Sequence, residues 1–187
     1  MPIIGSLAGA SSRGLGGFRT FGLISLSSYE SIETVNVTTP QATVVFNNIP
    51  ATYKHLQIRG FAKSGINTQL DTTFNSDTGA NYSHRTILGY GSGVDGGGNG
   101  QQSRIVMEAM ASSVYSTYVI DISDYASTSK SKTTRNFAGY DTNGSGRVSI
   151  NSGCWHNYTS PITSITLTCR SSSFQNYSSF ALYGIKG

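Results

Sequence analysis

Trp155, His156, Asn157 and Tyr158 stand together and combine an aromatic face with imidazole, amide and phenol groups. That combination suits a sugar, because a ring can stack on the aromatic side chain while its hydroxyls meet polar groups. Trp155, His156 and Tyr158 are therefore candidate glycan contacts. The competing reading makes Trp155 a core residue of its own strand with the others capping the strand end, and the sequence favours it.

Other chemistry is sparser. Asp141-Thr-Asn-Gly-Ser-Gly146 has oxygen ligands at alternate positions and glycine at the sixth, like the first half of a calcium loop. Its twelfth position is Ser152 where a bidentate Glu is needed, and Asn-Gly and Ser-Gly equally favour a hairpin turn. His55, His84 and His156 sit in no recognisable hydrolase motif, and there is no G-x-S-x-G elbow. His55 and His84 read as outward strand positions. Among 9 acidic residues the nearest pairs, Asp71 with Asp77 and Asp121 with Asp124, fit turn chemistry better than glycoside hydrolysis. Cys154 and Cys169 make no metal site with His156 alone, and they would pair only if their strands were neighbours. The expectation is no enzyme, no cofactor and no metal.

The elements that must position these residues are short strands separated by turn signals. Alternation or turn punctuation marks 31–38, 43–46, 53–62, 70–74, 82–90, 104–107, 115–123, 133–140, 147–155, 162–169 and 180–185. Asp124–Ala126 reads as one helical turn, Asp141–Gly146 as a hairpin loop, and Gly91–Gly100 as the most flexible stretch. About ten short antiparallel strands with turns every 8–12 residues indicate an all-β fold, a jelly-roll-like β-sandwich over 29–187. Leu56, Ile58, Ile120, Ile122, Ile165, Leu167, Phe180 and Leu182 are the expected core, while Lys54, His55, Gln57 and Arg59 are expected to face outward.

Composition agrees. The 187 residues include 22 Gly, 11 Tyr and 8 Phe but only 4 Pro, and 12% are charged, about half the usual ~25%. Hydroxyls and amides must supply the hydrophilic surface. The net charge of +4 is scattered singly except for Lys130, Lys132 and Arg135, which read as a solvated loop rather than a nucleic-acid stripe. Residues 1–5 show no basic segment leading into an apolar run, so no secretory signal is expected, and no run approaches the ~20 apolar residues of a membrane span. Sequons at Asn36, Asn81, Asn143, Asn157 and Asn176 carry no weight in so Asn-, Ser- and Thr-rich a chain. Synthesis and release in the cytoplasm are expected.

Residues 1–28 differ from the rest. Small residues surround single apolar anchors at Leu7, Leu15, Phe18 and Phe21, with Arg13 and Arg19 between them, and no period of 2 or 3.6 is sustained. Glycine at this density is costly to order alone. An extended arm that docks on a partner through Leu7, Arg13, Leu15, Phe18, Arg19 and Phe21 accounts for the anchors better than a free tail does.

The segments 4–17 (IGSLAGASSRGLGG), 49–60 (IPATYKHLQIRG), 77–83 (DTGANYS) and 177–187 (YSSFALYGIKG) are similar to small virion structural proteins of tailed bacteriophages, including cyanobacterial and marine phages. With the strands between them the resemblance spans nearly the whole chain. It implies a virion component made in the host bacterial cytoplasm, attached by its arm to other virion proteins and assembled with itself as a homotrimer. A tail-fibre or baseplate appendage is the preferred position, with capsid decoration as the alternative. A host surface glycan is a further partner to test. A carbohydrate-binding module is the rival from another class, and no nucleic acid or membrane insertion is expected.

Overall fold

Residues 116–123 alternate strictly: Ser116, Tyr118, Ile120 and Ile122 turn inward, while Thr117, Val119 and Ser123 face out. Such a period of 2 is the signature of a strand with one face buried. The same logic builds most of the molecule, a computed structural model that describes residues 28–187. Its strands are β1 (Tyr29–Asn36), β2 (Thr43–Phe46), β3 (His55–Ala62), β4 (Thr68–Phe74), β5 (Tyr82–Tyr90), β6 (Gly93–Gln102), β7 (Ile105–Met110), β8 (Ser116–Ser123), β9 (Lys132–Asp141), β10 (Gly146–Trp155), β11 (Ile165–Cys169) and β12 (Ser179–Ile185). The expected arm, with Leu7, Arg13, Leu15, Phe18, Arg19 and Phe21, lies outside the described residues apart from Ser28.

The strands form an eight-stranded sheet, β1-β12-β3-β8-β9-β10-β5-β6, and a four-stranded sheet, β2-β11-β4-β7. Without the hairpins β5–β6 and β9–β10, the remaining eight strands run one-eight-three-six in the first sheet and two-seven-four-five in the second. That order is a jelly roll, two Greek keys closed against each other. The two hairpins are insertions between β4 and β7 and between β8 and β11, and they widen the large sheet beyond β8. All pairings are antiparallel.

The core lies between the sheets. Leu56, Ile58, Ile120, Ile122, Ile165, Leu167, Phe180 and Leu182 are all 0% exposed. Burial of each such side chain stabilises by roughly 1.5–3 kcal/mol. Phe74, Tyr82 and Trp155 close one end, with ring centroids 5.7 Å apart for Phe74 and Trp155.

Several sequence expectations need correction. Gly91–Gly100 is mostly strand, because β6 pairs along β5 through its backbone and needs no side chains to do so. Gly98 is required there: a Cβ would lie 2.3 Å from the His84 carbonyl oxygen. His84, expected to face out, lies on the inner face at 6% exposure, while Gln57 keeps its outward position but is 7% exposed beneath the Asp121 and Arg59 side chains. Gln57 donates to Asp121 Oδ1 at 2.7 Å, which satisfies its amide beside the sheet surface. Asp124–Ala126 is a turn closed by the Ser127 N–H donating to the Asp124 carbonyl, with Asp124 at φ 48°, and not a helical turn. Lys132, assigned to a solvated loop, opens β9 and is fully buried.

Candidate functional site: an apolar face on the large sheet

Strand alternation that fills the core also determines what the large sheet shows on its other face. There, cross-strand pairing aligns Arg59 with Val119, Val119 with Phe137, Phe137 with Ile150, and Ile150 with Ile87. The next row runs Phe61, Thr117, Gly139, Val148, Gly89, Val94. The apolar members are exposed: Val119 37%, Phe137 55%, Ile150 58%, Ile87 60%, Phe61 45%, Val148 46% and Val94 77%. Tyr115 extends the patch by stacking on Phe61, with centroids 4.6 Å apart.

These seven side chains present on the order of 600 Å² of contiguous apolar surface, the upper end of what monomeric proteins carry. Gly139 and Gly89 place no side chain between the large residues, so the second row stays low and open. A third row, Gln57, Asp121, Arg135, Ser152, Arg85, forms a polar border with charges of both signs. The arrangement is an apolar centre with a charged rim, the anatomy of a protein interface. The sequence carried a signal for it: β8, β9 and β10 place apolar residues at both strand parities, and Phe137, Ile150 and Ile87 stand where a one-sided strand would be polar. The search for chemistry did not single them out.

The residues singled out for chemistry are dispersed or buried. Trp155 is 1% exposed, and its indole N–H donates to Asp77 Oδ2 at 2.7 Å. The Lys132 ammonium lies 5.3 Å from the centroid of the indole and donates to the Asn157 carbonyl at 2.8 Å. Burial lowers the pKa of that ammonium. No face of Trp155 is left for a sugar, so the core reading holds and the expected contact trio of Trp155, His156 and Tyr158 does not form a platform. Tyr158 is exposed on its own.

His156 Nε2 sits 2.9 Å from Ser83 Oγ, but its other ring nitrogen faces Cys154 Sγ at 3.8 Å rather than a carboxylate that would orient it. Burial raises the Cys154 thiol pKa, which works against a thiolate nucleophile. Cys154 belongs to the large sheet and Cys169 to the small one, and both thiols are free. Burial pushes the Cys169 pKa up to about 11. Asp141 caps its own hairpin, accepting from the Asn143 N–H at 2.6 Å. Among the described residues no three His, Cys, Asp or Glu side chains converge as metal ligands.

Asp71 is a structural carboxylate. It is 3% exposed and receives Arg170 through Nε at 2.9 Å and Nη2 at 2.5 Å, with Arg104 Nη1 at 3.3 Å. Asp124 joins Lys54 and Lys130, each at 3.2 Å, and those two ammonium groups hold its carboxyl below the usual range.

No protein-family model, curated protein or solved structure matches the chain.

Proposed function

We propose that this protein is a non-enzymatic structural component of a tailed bacteriophage particle, a tail-fibre or baseplate appendage that docks by residues 1–28 and multimerises through the outer face of its large sheet. A jelly roll by itself serves many functions. The observation that carries the reading is the double row of exposed apolar side chains centred on Phe137 and Ile150. Water-facing rows of this size raise the free energy of an isolated chain, and three copies that turn these faces toward a common axis remove them from solvent. The rim favours the same occupant, because Asp121 beside Arg135 and Arg85 offers both signs to a neighbouring copy. The anchored arm and the resemblance to virion proteins add the particle context.

Light scattering on the purified full chain tests the assembly. The expected species is a trimer at three times the 19.9 kDa chain mass, and Phe137→Asp with Ile150→Asp should convert it to a folded monomer. A wild-type chain that stays monomeric at micromolar concentration overturns multimerisation through this face. Antibody labelling of intact virions under the electron microscope tests position: label on the tail supports the appendage, label on the head replaces it with capsid decoration, and no label overturns the virion assignment.

A further inference from the structure

The inserted hairpins create a second feature at their tips, where the sheet ends beyond the apolar rows. β9, β10, β5 and β6 extend past β8, and the small sheet covers them mainly through β7, with Phe74 of β4 against Trp155 and Tyr82 at the end away from the tips. Toward the hairpin tips their inner face is uncovered. A cleft of about 610 Å³ lies between the β5–β6 and β9–β10 tips, lined by Tyr90, Tyr140, Asp141, Arg147 and the tip glycines, with Val94 and Val148 of the second apolar row at its far rim. An adjoining cavity of about 340 Å³ shares Tyr140 and Arg147 and reaches Thr68. Both volumes fall in the range of small-ligand sites.

Its chemistry is specific. Tyr140 and Arg147 are direct cross-strand partners, and Tyr90 is the next inward position on β5 beyond Leu88, which pairs with Ser149. The Tyr90 ring lies over Gly93, where an added Cβ would sit 3.1 Å from it, and the residue remains 46% exposed. Arg147 makes no ion pair among the described residues, although Asp71 and Asp124 each hold two cations. An arginine without a carboxylate between two tyrosines presents a fork for a planar anion flanked by aromatic surface.

We infer that this cleft binds an acidic saccharide, with the sugar carboxylate on the Arg147 guanidinium and the ring against Tyr90 or Tyr140. The Asp141 carboxylate and the Thr68 hydroxyl stand at the margins for sugar hydroxyls. The cleft lies beside β6, at the opposite edge of the eight-stranded sheet from β1. The inference goes beyond the assembly role and does not depend on the location in the particle.

The test is calorimetric titration of the full chain with trigalacturonate, trimannuronate and sialyllactose, and with maltotriose as the neutral control. At least one acidic probe should bind, maltotriose should bind at least tenfold more weakly, and Arg147→Gln should weaken the acidic probe about tenfold or more. Tyr140→Ala and Tyr90→Ala should weaken it as well, while Phe137→Asp should leave it unchanged. Melting curves check that the Arg147 and Tyr variants are folded. Failure of all three acidic probes at millimolar concentration, equal binding of maltotriose, or a folded Arg147→Gln chain that binds like wild type would each overturn the inference. Loss of binding in Phe137→Asp would overturn the site, since that residue does not line the cleft.

Discussion

The indole N–H of Trp155 at the end of β10 donates to Asp77 Oδ2 at 2.7 Å, tying the inserted β9–β10 hairpin to the turn that follows β4. This is the protein's single tryptophan, so its fluorescence reports that junction alone. Emission of the folded chain should be blue-shifted and insensitive to added saccharides. Trp155→Ala should cost about 3–5 kcal/mol, and Asp77→Ala about 1–3 kcal/mol for the orphaned indole donor. Both are read from urea midpoints, and solvent-like emission in the native chain would refute the buried position.

The same contact sets a pH dependence. Burial alone raises the Asp77 pKa, but hydrogen bonds from Trp155, Asn81 and the Gly79 N–H outweigh it and hold the carboxyl below its usual value. A carboxylate with a depressed folded pKa stabilises the fold fully above its unfolded pKa, ~3.9, and loses that contribution as pH falls through the folded value. Stability measured from pH 7 to 3 should therefore show wild type and Asp77→Asn converging at the acid end. A gap that stays constant with pH would contradict this.

Asp71 predicts an asymmetry between its two arginines. Removing Arg170, which makes the close double contact, leaves a carboxylate at 3% exposure with only Arg104. Arg170→Met should cost about 3–5 kcal/mol. Arg104→Gln, at a side chain 48% exposed, should cost about 0–1 kcal/mol. Equal losses in denaturant titrations would mean that the two arginines share the charge evenly.

The two faces of the large sheet respond differently to truncation. Ile120→Ala or Leu167→Ala should cost about 2–5 kcal/mol through lost burial and cavity formation. Ile150→Ala, introduced into a Phe137→Asp chain whose monomeric state is first checked by light scattering, should stay within about 0.5 kcal/mol. A large loss at Ile150 in that background would place it in a core rather than at an interface.

Deleting residues 1–28 should leave the jelly roll folded with a nearly unchanged melting temperature and abolish incorporation into particles. If the arm docks as proposed, ordering each of its residues costs roughly 1–2 kcal/mol, which contacts of Leu7, Leu15, Phe18 and Phe21 with another chain would offset. Wild-type occupancy by the truncated protein in purified particles would reduce the arm to a tail.

Local pattern alone determined much of this protein. Alternation in 115–123 and 180–185, and turn residues at 141–146, locate strands, core faces and a hairpin, because side-chain period and turn chemistry are written within a few residues. All eight residues assigned to the core from that pattern are buried. Strand β6 was illegible for the converse reason: its pairing is carried by backbone groups, and glycine-rich sequence gives no side-chain period to read. Beyond that hairpin, tertiary structure decided which strands are neighbours. That order placed Ile87 beside the Phe137–Ile150 pair in a continuous row, although it lies far from both in the chain. It also buried Lys132 over Trp155, withdrew Trp155 from solvent, and left Arg147 open between two hairpin tips. Exposure is a property of what packs across a residue, and that partner comes from distant sequence.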